Sequence, residues 1–181
     1  MTHVTLETDG ALAIVTLDNP PQNRIGDQMA DELAGIVEAI ESGESRAVLL
    51  RAKGTDFSFG GDIMNWPEMS PRRLRATFDR YMSLFNRFER LPLPVITAVQ
   101  GLCFGGGLEL ATRADIIVAG ESARFGHPEQ SLGIVTMLGG RLSRCRTGGS
   151  GLRVGMGAHI ATGFRRDDDA TWRGQPGRAR R

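Results

Sequence analysis

Apolar positions along this chain follow two alternating rhythms. LAIVTL (12–17) is a short apolar run with β-branched residues and predicts a strand, with VTLET before it as a hairpin partner. NPPQN (19–23) is turn or loop chemistry. From Asp27, read as an N-cap, Met29, Leu33, Ile36, Val37 and Ile40 recur at helical spacing and predict an amphipathic helix. AVLLRA (47–52) predicts the next strand, which runs into the loop GTDFSFGGD. After Pro71, residues Leu74, Phe78, Tyr81, Phe85 and Phe88 step by four, three, four and three, a second amphipathic helix that LPLP (91–94) stops. VITAVQG (95–101) predicts a strand, GGGLELATRA a turn into a short helix, and DIIVAG (115–120) another strand. Strands alternating with helices predict an α/β architecture with parallel pairing.

Composition adds limits. The 181 residues suffice for one domain with a sizeable core. No apolar run approaches the ~18 residues of a membrane span, and MTHVTLETDG lacks a basic-then-apolar signal segment, so a cytoplasmic setting is the default. Cys103 and Cys145, with scattered His3, His127 and His159, have no metal-ligand spacing; no metal is expected. Charge divides the chain. Residues 1–140 hold 12 basic and 18 acidic groups, a balance of −6, whereas residues 141–181 hold ten arginines against Asp167, Asp168 and Asp169, a balance of +7. The later segment also has eight glycines and little sustained apolar periodicity.

Two glycine-bearing loops follow strands: FSFGGD (57–62) and CFGGGLEL (103–110). Gly105-Gly106-Gly107 would weaken a helix or strand by roughly 0.5–1 kcal/mol per residue relative to alanine, so either something approaches the backbone or the chain turns sharply. Each loop can present free backbone N–H groups, the second at a helix start where the dipole favours negative charge. Two such donors on one oxygen make an oxyanion hole. Glu109 falls in the first helical turn beside it, and Glu129 in FGHPEQSLG offers a second carboxyl; two carboxyls can divide acid and base roles. Singly, each signal has a plainer reading. The glycines could be a tight turn, Glu109 a helix-start charge, Glu129 a solvated loop residue, His127 a packing or hydrogen-bonding residue, and Asp62 a turn cap. The triplet is no phosphate loop, because the G-K-[ST] ending is absent.

Order and spacing together are more specific. RAKGTDFSFGGDI (51–63), PVITAVQGLCFGGGLELATRADIIVA (94–119) and ARFGHPEQSLGI (123–134), with NPPQN as a fainter match, resemble the enoyl-CoA hydratase/isomerase (crotonase) family over about residues 5–140. The resemblance implies a crotonase-like spiral of ββα units that binds an acyl-CoA thioester, with coenzyme A as part of the substrate and no separate cofactor. It implies oxyanion donors at the N–H groups of Gly61 and Gly106, and catalytic glutamates at Glu109 and Glu129. Phe59, Gly60, Asp62 and Gly105 become substrate and CoA contacts; Phe59 stands where the family often has a small residue, in the loop where it places the CoA adenine. Keeping both glutamates favours a hydratase of the kind used in fatty acid metabolism, with an isomerase or an inactive truncated member as alternatives.

The resemblance stops near residue 140. The family continues with a C-terminal helical region that closes the acyl pocket and supplies trimer contacts, and the basic Gly/Arg-rich segment 141–181 does not match it. Its single pair of large aromatics, Phe164 and Trp172, and its lack of a basic helix pattern disfavour a nucleic-acid-binding tail. A shifted reading frame accounts for more. With arginine at 21 against one lysine, CGN codons are expected; one nucleotide forward, Trp172-Arg173 then encodes glycine and Gln175-Pro176 asparagine or serine, fitting a family G-[LV]-V-[ND] segment. On this reading residues 141–181 are disordered or out of frame, the C-terminal helical region is missing, and the chain is expected to be a poor enzyme that does not form the family's trimer.

Overall fold

The computed structural model describes residues 1–129 and Gly133. The expected boundary at residue 140, and the reading of 141–181, lie outside the described residues.

Strands β1 (Val4–Asp9) and β2 (Leu12–Leu17) form the expected hairpin, closed at Gly10, whose φ of +56° suits a residue without a side chain. Helix α1 (Asp27–Ser42) returns the chain to β3 (Ala47–Ala52), which lies parallel to β2 with Leu12 opposite Ala47. A single turn at Trp66–Glu68 leads into α2 (Pro71–Glu89), then β4 (Val95–Val99), β5 (Leu102–Phe104), α3 (Gly106–Ala111), β6 (Ile116–Ala119) and β7 (Arg124–Gly126). The larger sheet has the order β1-β2-β3-β4-β6, antiparallel only at the hairpin, and β5 pairs with β7 in a small parallel sheet. This is the mixed α/β, mainly parallel arrangement expected.

Most of the periodic positions are buried, with Ile36, Leu74 and Phe78 partly so. Met29, Leu33, Val37 and Ile40 of α1 and Tyr81, Phe85 and Phe88 of α2 join Val15, Leu17, Val48, Leu50, Val95 and Val99 of the sheet in one core. Burying each such side chain contributes about 1.5–3 kcal/mol, enough to hold helices whose other faces are polar.

Three local expectations are corrected. The N-cap of α1 is Gly26, not Asp27. Asp27 is the first helical residue, and its carboxylate turns away to Arg80 and to the Tyr81 hydroxyl (3.0 Å), tying α1 to α2. The strand expected over 95–101 ends at Val99, because Gly101 has φ +54° and a Cβ there would sit 2.1 Å from the Thr55 carbonyl oxygen. Finally, β5 and β7 are strands that apolar periodicity did not mark. Among the described residues, no helix is long and apolar enough to cross a membrane, and no three His, Cys, Asp or Glu side chains gather as a metal site would need.

Candidate active site

Parallel strands deliver both glycine loops to the same place. The first loop leaves β3 and runs beside β5. Ser58 N–H donates to Leu102 O (3.0 Å) and Phe104 N–H to Ser58 O (2.9 Å), so the loops are joined by backbone bonds just before their glycines. Two polar side chains complete the frame. Asn23, buried and at φ +47°, donates from Nδ2 to the carbonyls of Lys53 (2.9 Å) and Asp56 (3.0 Å). The buried Ser58 hydroxyl donates to Asn23 O (2.7 Å) and accepts from Gly60 N–H (3.1 Å). An apolar side chain at 58 would leave the buried Asn23 carbonyl and Gly60 amide unbonded, at about 1–3 kcal/mol each.

The glycines fit one another closely. Gly60 has φ +96°, and a Cβ there would lie 2.9 Å from Phe104 O and 3.1 Å from Gly106 N. A Cβ on Gly106 would lie 3.4 Å from Gly61 N. One on Gly107 would meet Ser58 Cβ at 2.6 Å. The triplet therefore brings two backbones together.

Hydrogen bonding separates two amides from their neighbours. Phe57, Ser58, Phe59, Gly60 and Asp62 in the first loop, and Phe104 and Gly105 in the second, all donate inside the fold. Among the described residues, neither Gly61 N–H nor Gly106 N–H has an acceptor. Gly106 is the first residue of α3, where a helix leaves its N–H groups without intrahelical partners. Two adjacent backbone donors of this kind can hold an oxygen on which negative charge develops.

Both glutamates border this point. Glu109 is buried (3% exposed) in the first turn of α3, its N–H bonded to Gly105 O at 2.9 Å. Glu129 arrives on the segment after β7; its Oε1 lies 3.0 Å from where a Cβ on Gly105 would be, and Gly105 has φ +50°. Glu129 Oε2 is buried with no hydrogen-bond partner among the described residues. His127 Nδ1 stands 3.4 Å from Glu129 Oε1. Phe59 faces Phe104 with ring centroids 6.4 Å apart, and Trp66 Cζ2 is 3.4 Å from the Cβ position of Gly61. Asp62 is exposed, beside Gly26. Cys103 is fully buried on β5, and burial pushes its thiol pKa far up, so it remains a neutral packing group.

The structure thus brings Gly60, Gly61, Gly105, Gly106, Glu109 and Glu129 together and leaves Asp62 exposed beside Gly26. Sequence reasoning missed Asn23, Ser58 and Trp66 and did not link His127 to Glu129. The available signal was Ser58 itself, a polar residue between two phenylalanines in a loop that must enter the core.

Known proteins identify the family. The enoyl-CoA hydratase/isomerase family profile matches residues 7–160, continuing past the charge break at residue 140. The short-chain-enoyl-CoA hydratase of Clostridium acetobutylicum is 38% identical over 162 residues, covering 87% of this chain and 59% of that protein. The 2,3-dehydroadipyl-CoA hydratase of Escherichia coli is 32% identical over 158 residues, covering 86% of this chain and 61% of that protein. Among solved structures, an enoyl-CoA hydratase/carnithine racemase from Magnetospirillum magneticum matches with a TM-score of 0.77 at 31% identity, over 82% of this chain and 58% of that one. The enoyl-CoA hydratase from Thermoplasma volcanium gives 0.76 at 31%, over 81% and 59%. The match therefore spans little more than half the length of these relatives. The chain belongs to the enoyl-CoA hydratase/isomerase family.

Proposed function

We infer that this site hydrates a 2-enoyl-CoA thioester. The observation that carries the reading is the adjacent pair of amides, Gly61 and Gly106, without acceptors among the described residues, beside the buried Glu109 and the half-buried Glu129. As water oxygen bonds to C3, the π electrons move through C2 onto the thioester oxygen, and the two N–H groups stabilise the enolate. One glutamate takes the proton that water gives up, and the other delivers a proton to C2 as the thioester carbonyl re-forms. The product carries hydroxyl at C3 and hydrogen at C2, one water in all.

Gly60 and Gly105 serve by conformation. Their positive φ angles pass the backbone close to the thioester, where a side chain would block approach. Phe59, paired with Phe104, supplies an aromatic surface at the loop assigned to the CoA moiety, and Asp62 borders the entrance. Coenzyme A belongs to the substrate, and this chemistry requires no further cofactor. An isomerase needs one acid–base group; a second glutamate, with the Glu129 carboxylate beside Gly105 and Glu109 bonded through its N–H to Gly105 O, favours hydration.

The test is incubation with a 2-enoyl-CoA in ¹⁸O-labelled water, with products read by mass. One labelled water added, and turnover lowered at least ~10²-fold in both Glu109→Gln and Glu129→Gln, is the expected result. A product of unchanged mass with a moved double bond would establish the isomerase reading instead, and no product would overturn both.

A further inference from the structure

His127 is a buried titratable group to which hydration as described gives no part. It is 8% exposed, and its Nε2 has no hydrogen-bond partner among the described residues. Its Nδ1 faces Glu129 Oε1 at 3.4 Å. The carboxylate is treated unequally: Oε1 lies between that ring nitrogen and the Gly105 backbone, while Oε2 is buried with no hydrogen-bond partner among the described residues.

We propose that His127 is a positioning residue for Glu129: Nδ1–H anchors Oε1, so that Oε2 is the oxygen that exchanges a proton with water or substrate. This rests on the hydratase reading above. A carboxylate can rotate about its terminal torsion, a broad and roughly two-fold one, and an untethered Glu129 would offer either oxygen at varying angles. Proton transfer needs a heavy-atom approach of about 2.6–3.2 Å, and misplacement by about 1 Å can cost on the order of 10² in rate. An imidazole carrying its proton on Nδ1 supplies the anchor. Pro128, between the two residues, fixes its own φ near −65° and restricts the backbone of His127 as well, which limits how far the pair can separate.

The position of the anchoring nitrogen gives a discriminating test. An asparagine amide can occupy the Nδ1 position, whereas a glutamine amide reaches the Nε2 position. With a 2-enoyl-CoA, His127→Leu and His127→Gln are expected to lower kcat about 10- to 100-fold with KM within about threefold, and His127→Asn to recover most of the loss. If the leucine variant does not fold, the contrast between glutamine and asparagine carries the same test. Wild-type kcat in His127→Gln, or equal losses in the glutamine and asparagine variants, would overturn the positioning role while leaving hydration intact. An inactive wild-type chain would overturn both readings, so the two failures are distinct.

Discussion

Gly107→Ala separates packing from propensity. Gly107 lies in the first turn of α3, where alanine would favour the helix by up to about 1 kcal/mol. Its Cβ would meet Ser58 Cβ at 2.6 Å, Ser58 Oγ at 2.8 Å and Ser58 O at 3.0 Å. Ser58 cannot swing aside freely, because its hydroxyl holds Asn23 O and Gly60 N–H in a buried loop. Overpacking costs about 1–3 kcal/mol, and breaking the two hydroxyl bonds roughly 1 kcal/mol each. The clash exceeds the propensity gain, for a net loss of about 2–4 kcal/mol. At about 2–4 °C per kcal/mol for a chain of this size, thermal unfolding should shift down by roughly 4–16 °C. Gly35→Ala is the control: Gly35 is exposed in α1 with nothing within 4 Å of its Cβ position. It should raise stability by about 0.5–1 kcal/mol. In a Ser58→Gly background Gly107→Ala should cost less, with a coupling of about 1–2 kcal/mol. A Gly107→Ala protein that melts with wild type and binds acyl-CoA normally would refute the close-approach argument.

Other predictions concern struts and charge. Arg113 is buried, paired with Glu89 and bonded to Asn86 Oδ1 at 3.0 Å, and it ties the end of α3 to α2. Arg113→Met should destabilise by roughly 3 kcal/mol, read as a lower urea midpoint. Burial pushes the Glu32 carboxyl pKa up, but hydrogen bonds from Gln28 and from the His3 and Val4 amides outweigh this and hold it below the usual range. A depressed folded pKa gives stability that is present above the unfolded value of about 4.3 and lost as pH falls through the folded one. Glu32→Gln should therefore destabilise at neutral pH, by about 1 kcal/mol or less, and match wild type in acid. Equal deficits at both pH values would refute the linkage.

How much was legible varied with how local the cause is. The helices and the five strands of the larger sheet were readable because burial imposes a period: Leu33, Val37 and Ile40 are apolar where α1 faces the core. The capping of α1 was misread because Asp27 answers to Arg80 and Tyr81, residues a whole helix away. The three-residue strands β5 and β7 are too short for a period and exist through their pairing with each other. In the site, the glycines and both glutamates stood out through order and spacing. Asn23 and Ser58 did not, since a buried polar residue earns its place from carbonyls and amides that the fold brings to it. The link from His127 to Glu129 was within reach, as the two residues flank Pro128, which restricts the backbone between them.

In the proposed reaction the Gly61 and Gly106 amides receive the thioester oxygen. This role is tested most directly by ¹⁵N-amide NMR of the labelled chain titrated with a saturated acyl-CoA, which binds without reacting. Oxygen binding at these amides should give saturable downfield movement of the Gly61 and Gly106 N–H resonances, larger than that of the Gly60 and Gly105 amides, which already have acceptors. Saturable binding that leaves those two resonances in place would contradict it.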